Sequence, residues 1–290
     1  MGRLNSPVVL EKSVPIPSHC RIITVTSGKG GVGKTNLSVN FALALAAKGK
    51  NVLLFDADMG LANVDVMLGM MPQHTLLNVL NGQKTLSEIV LEGPGGIRVV
   101  ASGSGGVQEL ADLNETQRGK FLEALLELQH QSDLILIDTG AGLHRNVLAF
   151  ALAAEEVVIV TTPEPTALMD AYGMIKVLYR EKHNPVISVV VNMAGNQIEA
   201  DEAGKKLVIL SKRFLNLEVD YLGFVPRDPA MIKAVREQKP VLLAAPSCPA
   251  AISLTRLAGM ILSGKSQRGE GNLINFFKKV TQIFGAKNHG

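Results

Sequence analysis

Eight residues near the start of the sequence constrain the fold more than any other feature. Residues 28–35 read GKGGVGKT and match the pattern G-x-x-x-x-G-K-[ST]. A β-branched run precedes them at residues 21–26, and a helical pattern follows at residues 34–48. A glycine-rich turn between a strand and a helix presents consecutive backbone N–H groups at the helix N-terminus, where negative charge is favoured. The segment therefore predicts a phosphate-binding loop within an α/β fold.

The residue types in this loop suit a nucleoside triphosphate with Mg²⁺. The Lys34 ammonium is expected to reach the β- and γ-phosphates, and the Thr35 hydroxyl is expected to ligate the metal. We therefore predict ATP and Mg²⁺ as the cofactors. The predicted nucleotide-binding residues of the loop are Gly28, Gly30, Gly31, Val32, Gly33, Lys34, Thr35 and Asn36.

Three aspartates directly follow predicted strands. Asp56 and Asp58 open the run DADMGLANVD, and Asp138 follows the apolar residues of LILIDTGAG. Ligands of open α/β sheets lie at the carboxyl ends of the strands, so these carboxylates are expected to converge on one site. An aspartate after a strand can also simply cap a turn. The metal site that we predict consists of Thr35, Asp56 and Asp138.

Apolar, β-branched runs alternate with longer helical patterns along the body of the chain. Several runs are almost continuously apolar, as expected for strands of a parallel sheet that helices cover on both faces. The alternation predicts a doubly wound, mostly parallel sheet flanked by helices. Strands are predicted at residues 21–26, 51–55, 97–101, 133–137, 157–161, 186–191 and 219–225. Helices are predicted at residues 34–48, 114–129, 166–181, 199–215, 228–237 and 247–262.

The body has an extension at each end. Residues 1–20 contain three prolines and no sustained periodicity, which indicates a loose N-terminal arm. Residues 21–262 form the predicted P-loop domain. Residues 263–271 (SGKSQRGEG) are polar and glycine-rich, which is typical of a flexible linker, and residues 272–290 form a tail beyond it.

Composition argues against several other classes of protein. No run of about 18 apolar residues is present, so we expect no membrane-spanning segment, and the first residues lack the layout of a secretory signal. Cys20 and Cys248 lie far apart in the sequence and match no zinc or disulfide spacing. The net charge of +3 is too small to indicate nucleic-acid binding by itself. We expect a cytoplasmic protein.

The second lysine of the loop, Lys29, makes the motif KGGVGKT resemble the deviant Walker A loop of the MinD/ParA family of ATPases. The resemblance covers residues 21–262 and implies a MinD-like P-loop fold, slow switch-type ATP hydrolysis and a homodimer in the ATP-bound state. In that family the extra lysine reaches the nucleotide of the partner subunit. The run DADMG resembles switch I, whose second aspartate orients the attacking water. The implied catalytic residues are Lys29, Lys34 and Asp58.

Three further segments carry the same resemblance. DTGAG, which contains Asp138, is similar to the Walker B and switch II segment of the family. Asn192 follows a predicted strand and resembles the asparagine that reads adenine. FVPRD resembles the segment that packs on the base. The resemblance therefore implies adenine contacts from Asn192, Pro226, Arg227 and Asp228.

Within the family, three runs are most similar to the flagellar-number regulators variously called FlhG, FleN and YlxH. They are DADMGLANVDVMLG, GPGGIRVVASGSG and TPEPTALMDAYGMIK. The implied partners are the FlhF-type GTPase, flagellar basal-body proteins and, in some lineages, a flagellar transcription activator. Many of these regulators activate the GTPase through an N-terminal DQAxxLR element, and residues 1–20 contain nothing similar. Activation of the GTPase by this arm is therefore not expected from the sequence.

The tail is amphipathic when it is drawn as a helix, with apolar residues on one face and lysines opposite. This composition is typical of a helix at a membrane surface, and the family's C-terminal membrane-targeting helix is similar in composition and place. The same face can instead pack on the protein's own body, and both hold if nucleotide state decides which surface is covered. The predicted membrane residues are Leu273, Phe276, Phe277, Val280, Ile283, Phe284, Lys278 and Lys279.

These observations predict a dimerising switch ATPase that binds anionic lipid at the inner face of the cell membrane and regulates flagellar number and placement. A ParA-like partition ATPase is one alternative, but it requires a basic surface for DNA, and the charge outside the tail is nearly balanced. A metabolic P-loop ligase is another, but Lys29 and the tail have no role in it. A scaffold without hydrolysis is a third, but Asp58 is present. We expect no direct binding to nucleic acid.

Overall fold

A computed structural model of the chain describes residues 20–58, 63–101, 115–181, 185–264 and 273–285. An eight-stranded sheet forms its centre. The strands, in chain order, are β1 (Arg21–Ser27), β2 (Val52–Ala57), β3 (Leu91–Glu92), β4 (Arg98–Ala101), β5 (Leu134–Ala141), β6 (Glu156–Thr161), β7 (Val186–Ala194) and β8 (Asp220–Pro226). They lie side by side in the order β3-β4-β2-β5-β1-β6-β7-β8. All neighbouring pairs are parallel except β3 and β4 at one edge, which confirms the predicted sheet.

Eleven α-helices belong to the described part of the chain. They are α1 (Lys34–Ala46), α2 (Val64–Leu68), α3 (Leu76–Leu80), α4 (Glu115–His130), α5 (Arg145–Ala153), α6 (Pro165–Arg180), α7 (Gln197–Leu215), α8 (Pro229–Arg236), α9 (Val241–Ala244), α10 (Pro249–Ser263) and α11 (Leu273–Gly285). Short 3₁₀ turns lie at Ser87–Ile89 and Pro94–Gly96. In these ranges no helix is both long and apolar enough to cross a bilayer.

Alternate residues of the central strands are buried in two separate hydrophobic cores, one on each face of the sheet. On β2, Leu53 and Phe55 belong to one buried cluster, whereas Leu54 belongs to the other. The first cluster is completed by helices α3 to α7 together with α11, and the second by α1, α2 and helices α8 to α10. Both faces of the parallel sheet are therefore covered, which explains why its strands read as nearly continuous apolar runs.

The sequence analysis placed the seven longer strands correctly to within one or two residues at most ends, but it missed the short edge strand β3 and helices α2, α3, α5 and α9. Helix α5 matters most for function. The most apolar stretch of the sequence, residues 148–160, contains the end of α5 and then β6, with the break at Ala154. Because α5 packs on the sheet on one side and on α11 on the other, it has little polar face and therefore no clear helical periodicity.

The tail forms α11, and its apolar face packs on the body across α4 and α5. Leu273, Phe276, Phe277 and Val280 are buried there, and Ile283 is partly buried. The lysines point the other way, with Lys278 exposed and Lys279 half-buried. The side chain of Phe284 lies outside the described part of the chain. So do residues 1–19 of the arm and residues 265–272, which comprise most of the linker and the first residue of the tail. In this structure the tail therefore adopts the alternative of packing on its own body.

Candidate nucleotide-binding site

Two glycines of the phosphate loop are required by close neighbours. A Cβ on Gly28 would lie 2.3 Å from the carbonyl oxygen of Asp170, and a Cβ on Gly33 would lie 2.4 Å from Nδ2 of Asn192. Gly33 also has a φ of 84°, a left-handed conformation that glycine adopts without strain. From Gly33 the chain enters α1 at Lys34, so the loop ends at a helix N-terminus, where an anion is stabilised.

The loop forms one wall of a cleft of about 560 Å³, a size suited to a small-molecule ligand. Other parts of the lining come from the residue after β2, from helix α2, from the ends of β5 and β7, and from the C-terminal end of α8. Of the residues predicted from the sequence, the cleft brings together Gly30, Gly31, Val32, Gly33, Lys34, Thr35, Asn36 and Asp58. The lining also includes Ser27, Asn63, Val66, Met67, Ala141, Met193, Val235 and Gln238, which the sequence analysis did not select.

Lys34 is buried at the base of this cleft and forms an ion pair with Asp138. Its Nζ lies 3.2 Å from Oδ1 of Asp138 and 3.4 Å from the Thr35 hydroxyl. The Ser38 hydroxyl, one helical turn further along α1, donates to the same Asp138 oxygen at 2.7 Å. Asp138 Oδ2 is buried and has no hydrogen-bond partner among the described residues. A buried carboxylate oxygen without a partner is costly, so this atom points to a ligand.

Asp56 lies directly beside Asp138 because the two residues are register partners on the parallel strands β2 and β5. Both are fully buried. Burial, followed by the negative charge of Asp138, raises the pKa of Asp56 from its ordinary 3.8 to about 7. The Asp58 and Val64 backbone N–H groups donate to Asp56 at 3.0 and 3.5 Å and oppose this shift. Two adjacent buried carboxylates form an electrostatically unfavourable pair that a divalent cation stabilises.

Asp58 is half-buried and faces the cleft. Asn63 Nδ2 approaches its Oδ2 at 3.4 Å, and a Cβ on Gly140 would lie 3.3 Å from its Oδ1. Asp58 therefore lies against the C-terminal end of β5, in the segment that resembles switch II. The four residues between Asp58 and Asn63 lie outside the described part of the chain.

Lys29 belongs to the loop but does not line the cleft beside it. Its Nζ donates to Glu164 Oε2 and to the Thr166 hydroxyl, both at 2.9 Å, at the start of α6. The ion pair is exposed, with relative side-chain accessibilities of 38% for Lys29 and 65% for Glu164. Such a pair is weak and can be exchanged for another partner. Local sequence patterns could not predict the contact with Glu164, because 135 residues separate it from Lys29.

The four residues expected near the base lie at the ends of β7 and β8. Asn192 is buried and its Nδ2 donates to the carbonyl of Val32 at 2.8 Å, which ties β7 to the phosphate loop. Pro226 is half-buried and Arg227 is exposed. Asp228 caps α8 through the Ala230 N–H and also accepts from the Ala250 N–H, so its carboxylate is engaged within the protein.

Met193, next to Asn192, has a φ of 57°. A methionine in the left-handed region carries strain, which proteins tolerate mainly at functional sites. Its side chain lines the cleft. The sequence analysis did not select this position, because a methionine carries no local signal of a left-handed backbone.

These features fit a nucleoside triphosphate with Mg²⁺. The glycine-rich loop supplies backbone N–H groups at a helix N-terminus, and Lys34 supplies a buried cation for the phosphates. Thr35, Asp56 and Asp138 carry oxygen atoms of the kind that Mg²⁺ prefers, and Asp138 Oδ2 has no hydrogen-bond partner within the part of the chain that the structure describes.

Comparison with known proteins points in one direction. The sequence profile of ParA, described as "NUBPL iron-transfer P-loop NTPase", matches residues 19–262. The antiactivator FleN of Pseudomonas aeruginosa is 40% identical over 257 residues, which cover 89% of this chain and 91% of that protein. The flagellum site-determining protein YlxH of Helicobacter pylori is 34% identical over 275 residues, which cover 92% of each. The septum site-determining protein MinD of Pyrococcus horikoshii, solved in complex with Mg-ADP, superposes with a TM-score of 0.68 at 26% identity and covers 84% of this chain and 98% of that one.

Proposed function

The chain belongs to the ParA/MinD family of P-loop NTPases, and from that membership we propose that it is a nucleotide-controlled switch that regulates flagellar number and placement. It is an ATP hydrolase with Mg²⁺ as its metal cofactor, as the family requires. The flagellar role is supported by its similarity to FleN and to the flagellum site-determining protein YlxH over about nine-tenths of each chain.

Hydrolysis in this site depends on placement and charge. With ATP bound, Lys34 would exchange Asp138 for the β- and γ-phosphates, and Thr35, Asp56 and Asp138 would hold Mg²⁺, which would supply positive charge to the phosphoryl oxygens. Asp58 faces the same cleft and orients the attacking water. Lys34 pairs with Asp138 in this structure. ATP binding would therefore replace its carboxylate partner by a phosphate of the ligand.

The position of Lys29 is the observation that carries the switch proposal. A lysine that served its own subunit's phosphates would lie in the cleft, yet Lys29 is held outside it by Glu164 and Thr166. The ion pair is exposed and therefore available for exchange. We infer that the ATP-bound chain forms a homodimer in which Lys29 leaves Glu164 and reaches the nucleotide of the second copy.

The dimer is tested by sedimentation of wild type and Lys29→Ala with a non-hydrolysable ATP analogue. Lys29→Ala is expected to stay monomeric while its affinity for the analogue remains nearly that of wild type. Lys50→Ala, an exposed lysine on the turn before β2, is the matched control and should dimerise normally. If Lys29→Ala loses dimerisation and nucleotide affinity equally, Lys29 acts within one subunit and the dimer proposal fails.

The tail extends the switch to the membrane. Its apolar face is covered by the body in this structure, while Lys278 and Lys279 remain on the outer side. Permanent exposure of four or more large apolar side chains would make the protein self-associate, so a covered resting state is expected. We infer that ATP-driven closure places two tails side by side on anionic lipid, where effective concentration strengthens a weak single-helix interaction.

Charge variants separate lipid binding from packing on the body. Each lysine near an anionic surface contributes about 1 kcal/mol, so the double change Lys278→Ala and Lys279→Ala should weaken ATP-dependent vesicle binding by at least about thirtyfold, the loss expected for a single tail. Gln282→Ala, an exposed neutral residue of the same helix, should leave binding unchanged. If the double variant binds vesicles of phosphatidylglycerol as well as wild type does, the tail is not a lipid-binding helix.

The flagellar role is tested in the organism that carries the gene. Deletion should change the number or position of flagella per cell, counted by electron microscopy, and wild-type protein should restore the normal pattern. Lys34→Ala, expressed at the same level, should not restore it. Normal flagella after deletion would contradict the proposal.

The iron-transfer role in the family's description does not fit this chain. A cluster is held by cysteine thiolates, and the sequence contains two cysteines, Cys20 and Cys248. They contribute to different cores, on opposite faces of the sheet. Burial also raises the pKa of Cys20 to about 12, which keeps its thiol protonated.

A further inference from the structure

Side chains of the body hold α11 at both of its ends. At the start of the helix, the Leu273 N–H donates to Oε1 of Gln129 on α4 at 2.7 Å. At the other end, the Arg145 guanidinium donates to the carbonyl oxygen of Ile283. The first N–H and last C=O groups of a helix have no partner within it, so both contacts satisfy groups that α11 cannot satisfy alone. A cation at the C-terminal end also interacts favourably with the helix dipole.

The two contacts differ in how they connect to the nucleotide site. Arg145 is the first residue of α5, three positions after Gly142 in the segment that resembles switch II. The Gly142 N–H donates to the carbonyl of Ser27 at 2.9 Å, and the Ser27 hydroxyl donates to the carbonyl of Lys29 at 3.0 Å. Hydrogen bonds therefore run from the phosphate loop to the turn that places Arg145.

Aromatic contacts join the same two regions. Phe55 immediately precedes Asp56, and its ring lies 5.4 Å from that of Phe277, centroid to centroid. Phe150 of α5 lies 6.1 Å from Phe276. The tail thus packs on the last residue before the metal-site carboxylate and on the helix that begins after switch II. Any shift of α5 must be accommodated in this close-packed contact.

We propose that Arg145 couples nucleotide state to the tail: it holds α11 on the body in the nucleotide-free chain and withdraws when ATP rearranges the segment before it. The proposal rests on the switch function above and names how that switch acts. Ala141 lines the cleft together with Lys34 and Asp58, and Gly140 lies against Asp58, so this segment borders the place where a γ-phosphate would bind. The segment is therefore the part of the chain whose position ATP can change directly.

A ligand shifts such an equilibrium only through different affinities for the two states, and the coupling is reciprocal. If ATP loosens the tail, then loosening the tail must strengthen ATP binding. Arg145→Ala should consequently bind an ATP analogue more tightly than wild type, even without lipid. A side chain that only stabilised the fold would leave nucleotide affinity unchanged or lower it.

The test follows amide hydrogen exchange of residues 273–283 in the full chain, with and without a non-hydrolysable ATP analogue. In wild type the analogue should accelerate exchange of these amides. Residues 273–283 of Arg145→Ala should exchange at least about tenfold faster without nucleotide, as expected for loss of a charge-assisted contact at a helix end, and the analogue should add little. Gln129→Ala is the matched control. Without nucleotide its residues 273–283 should also exchange faster than those of wild type, but the analogue should still accelerate their exchange by the same factor as in wild type.

The coupling role is overturned if Arg145→Ala retains the full response to the analogue, or if wild-type exchange does not respond at all. Vesicles of phosphatidylglycerol then separate this inference from the proposed function. If exchange responds as expected but no form of the protein binds vesicles, the membrane role is wrong and the coupling stands. If wild type binds vesicles with ATP and Arg145→Ala keeps the same ratio of ATP to ADP binding, the coupling is wrong and the membrane role stands.

Discussion

Replacing Phe277 by alanine should free the tail without unfolding the body. Phe277 is 1% exposed and packs edge to face against Phe55 and Phe121, with ring centroids 5.4 and 5.6 Å apart. Truncating a buried phenylalanine costs about 3–5 kcal/mol, which would weaken docking of α11 more than a hundredfold. The cost to global stability has an upper limit, however. Once α11 has left the body, Phe277 makes no contact that the substitution could remove. The loss in free energy of unfolding therefore cannot exceed the free energy with which the tail docks on the body.

This limit gives a test that distinguishes a docked tail from an integral part of the core. Thermal unfolding of Phe277→Ala should shift by no more than that of a chain ending at residue 272, and exchange at residues 273–283 should approach that of a free peptide. Ile283→Ala, at a partly buried position, should give a smaller shift and partial protection. If the chain ending at residue 272 does not unfold cooperatively, or if residues 273–283 of Phe277→Ala stay as protected from exchange as in wild type, α11 is a structural element of the fold and a releasable tail is the wrong description.

Three further predictions concern the nucleotide site. Lys34→Ala should lower affinity for a fluorescent ATP analogue at least about tenfold, since charge-assisted contacts to the phosphates are lost, and unchanged affinity would rule out the assignment. Asp58→Ala should bind ATP but hydrolyse it far more slowly, so that a dimer persists in sedimentation after wild type has decayed; turnover at the wild-type rate would place the water-orienting group elsewhere. Asp56 has a folded pKa of about 7 against an ordinary 3.8, so its contribution to stability is present at low pH and is lost as pH rises toward 7. In the absence of Mg²⁺, the melting temperature of Asp56→Asn should therefore rise relative to that of wild type as pH increases. A difference in melting temperature that does not change with pH would contradict the burial argument.

Local patterns in the sequence were sufficient for the fold and for much of the phosphate site. Residues 28–35 predict the loop because the glycines allow the backbone to wrap a phosphate, and Lys34 and Thr35 carry the groups that bind the phosphates and the metal. Asp56 and Asp138 could be placed together because both end strands of one parallel sheet, and the register confirms that they are neighbours. Ser38 was missed, although its spacing of one helical turn from Lys34 places both on the same face of α1.

Contacts between distant parts of the chain could not be predicted in the same way. Glu164 meets Lys29, and Arg145 meets Ile283, through packing of whole elements rather than through spacing. Helix α5 was hidden because both of its sides are covered, which removes the polar face that marks a helix. The tail shows a different limit: its amphipathic pattern specifies an apolar partner surface, but a protein groove and a lipid surface satisfy that pattern equally.

Sedimentation of the full chain with phosphatidylglycerol vesicles, in ATP and in ADP, tests the central claim most directly. A nucleotide-controlled switch predicts that the protein pellets with vesicles in ATP, remains in the supernatant in ADP, and fails to pellet in either nucleotide when it ends at residue 272. Equal pelleting in both nucleotides, or ATP-dependent pelleting without the tail, would contradict the account.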